Sequence, residues 1–370
     1  MAIITASSTK TSLEEVIDEI KNTFSSITPK MIIYFASSSF APQEISSKMK
    51  NAFPDSETFG CSTAGEIVSG KMLKNSVVAM ALDESTAGNV KIEIVKDIKT
   101  NAKENVEKAL ISFGEHFDQK ASDLSPEKYV GIILIDGLSV SEEIVMDKIG
   151  DLTNVLFIGG SAGDDLKFDC TYVYANGAAY TNAAILAILE PTAGFDFIKT
   201  QSFCQLETTL TATKVNEQSR EVNEFNGKPA AEAYAEALQS SVEDVSKHFM
   251  NNPVGLMVTD DVFVRSPQQI KGNSMVFYCA VKEGMELTLL ESTNIINDTK
   301  EALDNKLKEL GNIEGIINFN CILRTLALEA KDLTDDYGQI FSDIPTIGFS
   351  TYGEEFIGHI NQTSTMLVFK

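Results

Sequence analysis

The chain has 370 residues, 43% hydrophobic and 22% charged, an ordinary globular composition long enough to bury a sizeable core without disulfide or metal staples. Its 53 acidic and 30 basic residues give a formal net charge of -23, which repels phosphate backbones and anionic headgroups; with no basic stripe to override it, nucleic-acid and membrane-surface roles are excluded. The longest apolar run, Ala183–Leu189, is too short to insert in a bilayer, and residues 1–10 lack the basic start of a secretory signal, so a cytoplasmic location is expected.

From the N-terminus the pattern reads strand, helix, strand, helix, strand, strand. The strands are Ala2–Thr5, Met31–Ala36, Glu57–Gly60 and Ser76–Leu82, and the helices are Leu13–Phe24 and Ala41–Phe53. In the first helix Leu13, Val16, Ile17, Ile20 and Phe24 share a face, and Ser12 with Glu15 reads as a capping box. The same order recurs with strands at Lys91–Val95, Tyr129–Ile135, Val155–Ile158 and Ala183–Leu189, and helices at Asn101–Phe117 and Ser141–Leu152. A third copy has strands at Glu286–Leu290, Ile313–Phe319, Thr346–Phe349 and Ser364–Phe369, and helices at Ile295–Leu310 and Leu323–Leu333. Residues 194–284 depart from this plan: they are strand-rich at 195–215 and 254–281, with a helix at Pro229–Gln239.

The expected fold class is α/β, in the mixed α+β sense, with repeated β-α-β-α-β-β modules forming helix-covered mixed sheets. Pro191 and Gly194 break the pattern, which places a domain of two modules (1–83 and 90–190) at residues 1–190. A second domain, 194–370, then joins the strand-rich segment to the third module, 285–370. The runs Met31–Ala36, Val130–Ile135 and Ile313–Phe319 do not alternate, so they should be buried on both faces of their sheets.

Each module carries one related motif directly after a strand. The copies are Gly60-Cys61-Ser62-Thr63-Ala64-Gly65-Glu66, Gly159-Gly160-Ser161-Ala162-Gly163-Asp164, and Gly348-Phe349-Ser350-Thr351-Tyr352-Gly353-Glu354. A glycine- and hydroxyl-rich turn presents backbone N–H groups without bulk and can cradle a small polar group, or it can simply let strands pack closely. The acids Glu66, Asp164 and Glu354 suit a ligand amine or, equally, the cap of a neighbouring backbone N–H. Only three arginines occur; of these, Arg265 and Arg324 follow apolar strands and suit a ligand carboxylate or a buried structural acid. The candidate ligand contacts are therefore Cys61, Ser62, Thr63, Glu66, Ser161, Asp164, Arg265, Arg324, Ser350, Thr351, Tyr352 and Glu354.

Gly159-Gly160-Ser161-Ala162-Gly163 also matches the G-x-S-x-G elbow of serine hydrolases, but a polar loop follows where that chemistry needs a helix. The three histidines, His116, His248 and His359, are far apart, and the five cysteines include no CxxC pair, so no metal site and no disulfide framework is read. No catalytic constellation emerges, and the chain is read as a binding protein rather than an enzyme.

The three motif copies, together with Asn361-Gln362-Thr363, Val264-Arg265-Ser266 and the stretch from Cys321 to Arg324, resemble the FIST family of signal-transduction sensors. The resemblance implies a FIST N-terminal and a FIST C-terminal domain. It implies sensing of a small ligand, with amino acids as the class, and no cofactor. It also implies a separate signalling partner such as a histidine kinase or a cyclic-dinucleotide enzyme, since no output domain is read before Lys370. Haem-based nitric-oxide sensing is the alternative that the family allows, with His359 as axial ligand. Many members carry histidine immediately before Asn-Gln-Thr; this chain has Ile360 there, which turns His359 to the opposite strand face.

Overall fold

Long apolar runs between amphipathic helices have one stable solution, a sheet buried on both faces, and each module adopts it. The computed structural model describes residues 3–259 and 261–370; Ala2, expected to begin the first strand, lies outside them. The first module comprises β1 (Ile3–Ser8), α1 (Leu13–Thr23), β2 (Pro29–Ser37), α2 (Pro42–Ala52), β3 (Glu57–Thr63), a hairpin of β4 (Glu66–Val68) and β5 (Lys71–Leu73), and β6 (Val77–Asp83). After the short α3 (Glu84–Ala87) come β7 (Val90–Lys96), α4 (Ile98–His116), β8 (Val130–Ile135), α5 (Glu142–Leu152), β9 (Phe157–Ser161), the hairpin β10 (Val173–Ala175) and β11 (Ala178–Tyr180), and β12 (Ala183–Leu189).

The third module opens with β13 (Phe195–Gln201) and is then interrupted. The insertion runs through β14 (Phe203–Asn216), β15 (Glu221–Phe225), β16 (Lys228–Pro229), α6 (Ala230–Ala237), β17 (Val254–Val258), β18 (Asp261–Arg265), β19 (Pro267–Lys271), β20 (Ser274–Phe277) and β21 (Glu286–Ser292). The module resumes with α7 (Ile295–Leu310), β22 (Gly315–Cys321), α8 (Ile322–Glu329), α9 (Thr334–Gln339), β23 (Thr346–Thr351), the hairpin β24 (Glu354–Phe356) and β25 (His359–Ile360), and β26 (Thr363–Phe369).

The mixed α/β class and the triple repeat stand in the structure, but two expectations about assembly need correcting. First, Glu286–Leu290 does not open the third module: β21 pairs with β14 and β17 in the insertion, and β13 takes its place along the whole of β26, from Phe195 opposite Phe369 to Gln201 opposite Thr363. Second, the sheets are not confined to one module each. The sheet orders are β1-β6-β2-β3-β10-β11, β25-β24-β9-β8-β12-β7 and β13-β26-β22-β23-β4-β5. Each sheet joins four strands of one module to the hairpin of another. The second module's hairpin extends the first sheet, the third's extends the second, and the first's extends the third, so the exchange closes into a cycle.

The inner faces of the three sheets share one core, where Phe35, Phe319 and Phe349 from two modules meet with ring centroids 4.5–6.3 Å apart. Helices α1 and α2 cover the outer face of the first sheet, α4 and α5 the second, and α7 to α9 the third. Met31–Ala36 and Val130–Ile135 are buried throughout, as their non-alternating pattern requires; Glu314 alone breaks the burial of the third run. The insertion forms its own sheet, β18-β17-β21-β14-β15-β20-β19 with β16 on β15, around a separate apolar cluster that includes α6.

Smaller differences are local. Ser12 turns its hydroxyl toward Glu14 instead of capping α1, and the helix expected to reach Leu333 stops at Glu329 before α9 begins.

Candidate functional site

The three motif serines stand at equivalent places, at the carboxyl ends of β3, β9 and β23, each strand interior to its sheet. The turns bond to one another round a ring. Ser62 O accepts from Gly163 N (2.9 Å), Ser161 O from Tyr352 N (3.1 Å) and Ser350 O from Ala64 N (3.3 Å). The leading glycine of each copy is a close-approach residue. A Cβ on Gly60, Gly159 or Gly348 would lie 1.8, 1.7 or 2.2 Å from the carbonyl oxygen of Tyr34, Ile133 or Asn318, its partner on the adjacent parallel strand.

The motif side chains bond partly across this junction and partly within their own modules. Ser62 Oγ donates to Gly163 O at 2.7 Å, Thr351 Oγ1 donates to Ser161 O at 2.8 Å, and Ser350 Oγ lies 2.8 Å from Thr325 Oγ1. Thr63 donates to Glu66, whose other oxygen accepts from Ser76 N (3.1 Å) and Oγ (2.6 Å). Glu354 accepts from Thr363 N (3.0 Å) and Oγ1 (2.6 Å) in the matching position. Asp164 accepts from the amides of Phe168, Asp169 and Cys170 and from the Tyr352 hydroxyl. Glu66 and Asp164 thus spend both oxygens on neighbouring groups, whereas Glu354 Oε1 is buried without a protein partner. Cys61 lies in the shared core, where burial pushes its thiol well up.

The arginines chosen from sequence separate. Arg265 is half-buried and donates to Ala280 O (3.1 Å) and Val264 O (3.2 Å). Arg324 is buried beneath α7 and donates through Nε to Asn320, the residue that pairs with Ser350 between β22 and β23.

The candidate site is a cleft of about 260 Å³ where the carboxyl ends of β8 and β9 face the insertion, the place at which open α/β sheets accept ligands. Gly137, Leu138, Val140 and Glu142 line it from the second module, and Ile322, Leu323, Leu326, Tyr352 and His359 from the third. The insertion contributes Ser219, Arg220, Gln268, Val276, Phe277 and Tyr278, and the loop after the second motif contributes Leu166 and Phe168. The Phe168 ring stacks on Tyr352 at 5.2 Å, while Val140 and Phe168 stay more than half exposed at the rim.

A charged network backs the cleft. Arg220 Nη2 donates to Glu142 (2.7 Å) and Glu143 (2.6 Å), and Nη1 donates to Tyr278 O (2.6 Å). His359 Nδ1 and Ser161 Oγ both bond Glu355 Oε1, at 3.0 and 3.1 Å. Among the described residues, buried Arg220 Nε and Glu355 Oε2 have no protein hydrogen-bond partner. Burial alone would lower His359, but Glu355, and then Glu143 and Glu142, outweigh it and hold the imidazolium up to about 9. Burial raises Glu355, whereas Glu143, beside His359 and Arg220, stays ionised well below the usual carboxylate range despite its own burial.

These shifts set a pH dependence. Burial also raises Glu66 to about 7 and Glu354 to about 8. In all three groups the folded state holds the proton more tightly than the unfolded chain. Their contribution is complete below the unfolded values, about 4.3 for glutamate and 6.5 for histidine, and is lost as pH rises through about 7, 8 and 9. The melting temperature should therefore fall steadily from mildly acidic pH to pH of about 9.5, and His359→Gln should flatten the upper part of the fall. A flat profile over this range in the unmodified protein would contradict the assignment.

Ser161 is fully buried, its hydroxyl is directed at Glu355 and Glu142, and a loop follows it, so the arrangement that a hydrolase elbow requires is not assembled. Haem does not fit these residues either. His359 is buried, and the cleft it lines, of about 260 Å³, is too small for a porphyrin. The His359 ring also packs on Gly353 so tightly that a Cβ there would lie 2.0 Å from Cε1.

Two other cavities place the cleft in context. One of about 300 Å³, lined by Gly65, Ser350 and Thr325, occupies the related junction of the first and third modules. A larger groove of about 550 Å³ runs outside α4, along Leu110, Ile111 and Leu152, and contains no motif residue.

Sequence reading missed Glu142, Glu143 and Glu355, and passed over Arg220. The available signals were the scarcity of arginine and the second acid in Gly353-Glu354-Glu355.

The fold and cleft define an α/β repeat protein with a charged cleft between its modules and an insertion. Residues 30–228 match the FIST N domain and residues 230–356 the FIST C domain. The chain belongs to the FIST family, whose domains are associated with small-ligand sensing in signal transduction. It is also similar to an uncharacterized protein of Methanocaldococcus jannaschii, at 24% identity over 289 residues, covering 73% of this chain. The match spans 55% of that relative's length. Among the described residues no helix is long and apolar enough to cross a membrane.

Proposed function

We propose that the cleft between β8–β9 and the insertion is the sensory site, and that it binds an amino acid or a similar small zwitterion without a catalytic step or cofactor. The observation that carries this reading is the pair of unsatisfied buried groups of opposite charge, Arg220 Nε and Glu355 Oε2, in the network behind one cleft. A buried donor and acceptor without partners are costly, and a ligand carrying both a carboxylate and an ammonium would satisfy them. The rim of Val140, Leu166 and Phe168 offers apolar contact for the rest of such a ligand. Because three parts of the chain line the cleft, occupancy biases how the insertion sits on the modules. That is a change a separate cytoplasmic partner, such as a histidine kinase or a cyclic-dinucleotide enzyme, can read.

A melting-temperature screen with amino acids at millimolar concentration tests the reading. A ligand that binds only the folded protein should raise the midpoint by about 2 °C or more. Leu326→Trp, which fills the cleft, should abolish the shift without abolishing cooperative unfolding. A screen with no positive compound, or a shift that survives Leu326→Trp, would contradict the proposal.

A further inference from the structure

A second charged position lies apart from the cleft and has the opposite character. Arg324, in the first turn of α8, is 2% exposed. Its Nε donates to Asn320 Oδ1 (3.0 Å), Nη1 to Ser202 Oγ (3.2 Å) and Nη2 to Thr299 Oγ1 (2.8 Å). All three partners are neutral, and they engage only part of a guanidinium that carries five N–H donors. Among the described residues no carboxylate pairs with it, although buried charges are ordinarily paired. Asp298, on the neighbouring turn of α7, directs an oxygen at the Thr293 hydroxyl (2.6 Å).

Arg324 lines a small cavity of about 30 Å³, comparable to the volume share of a single water molecule, with the exposed residues Asn251, Thr293 and Lys331 in its outer wall. Among the described residues its charged lining is Arg324 and Lys331; Ser202, Asn251, Ser292, Thr293 and Gln362 add neutral polar groups. The N-terminal turns of α7, through Ile295, and of α8, through Leu323, also reach it. Helix N-termini carry partial positive charge, so an arginine here sits where a cation is least welcome. A positive, acid-free cavity inside a chain of net charge -23 calls for a counter-ion.

We propose that this cavity binds one small monovalent anion of chloride size. Its position gives the ion a structural consequence. Residues 201–203 lead into the insertion and residues 292–295 lead out; the two connections are bonded to each other through Thr293 N and Ser202 O (2.8 Å), and both border the cavity. The anion therefore holds the neck of the insertion against α8. This site shares only Leu323 with the lining of the cleft and does not rest on its assignment.

The test compares melting temperatures in sodium chloride and in sodium gluconate, an anion too large to enter, at equal ionic strength. Chloride should raise the midpoint of the unmodified protein by about 2 °C relative to gluconate, and should have no such effect on Arg324→Met. Equal midpoints in the two salts, or an equal chloride effect in both proteins, would overturn the proposal. Should Arg324→Met fail to fold, crystals of the unmodified protein soaked in sodium bromide decide: an anomalous peak beside the Arg324 guanidinium supports the site, and the absence of one overturns it.

Discussion

Gly159→Ala is expected to destabilise the protein by about 3 kcal/mol or more, the upper range for forced overpacking. The added Cβ would stand 1.7 Å from Ile133 O, a backbone atom of the paired strand that cannot move aside without separating β8 from β9. Gly60→Ala and Gly348→Ala should behave alike, because the repeat places the same contact in each module. Gly150→Ala is the internal control. That glycine lies within α5 with nothing inside 4 Å of an added Cβ, so the change should be neutral or slightly stabilising. Urea unfolding of the four variants measures this directly. A motif variant as stable as the control would mean that the leading glycine has no packing role.

Arg220→Met should carry the second large effect, about 3–5 kcal/mol, the usual consequence of removing one member of a buried ion cluster. The Arg220 side chain is 13% exposed and Glu142 only 3%, so both are largely shielded from water. Loss of the guanidinium leaves Glu142 and Glu143 facing each other without a cation, and frees the insertion from its charged contact with α5. The triple variant Arg220→Met, Glu142→Gln, Glu143→Gln should recover most of the loss, because the uncompensated charge is removed together with its partner. If the triple variant is no more stable than Arg220→Met, the stabilisation is packing rather than charge.

The residues expose the modules plainly because each repeats an apolar strand, an amphipathic helix and a glycine-led turn, all local features. Non-alternating runs such as Val130–Ile135 announce burial on both faces. The exchange of hairpins leaves no such mark. β4 and β5 are three residues each, too short for periodicity, and what they pair with is decided by where the motif turns meet. β13 and β21 were interchangeable from sequence, since both are short strands and β21 directly precedes α7; only pairing along all of β26 distinguishes them.

The site was legible in part. The motif turns were located, and Ser62, Ser161, Asp164, Thr351 and Tyr352 bond across from one module to another. Tyr352 and His359 reach the cleft, but the network behind it draws residues 142, 220 and 355 from three separate regions. No spacing along the chain links those positions, so no motif could have announced them.

The central claim is that ligand enters between the modules and the insertion, and hydrogen exchange tests it most directly. With an amino acid that raises the melting temperature, amide protection should increase over residues 137–142, 219–220, 276–278 and 352–359, the segments that surround the cleft. Protection confined to residues 107–122 along the outer groove of α4, with these segments unchanged, would contradict it.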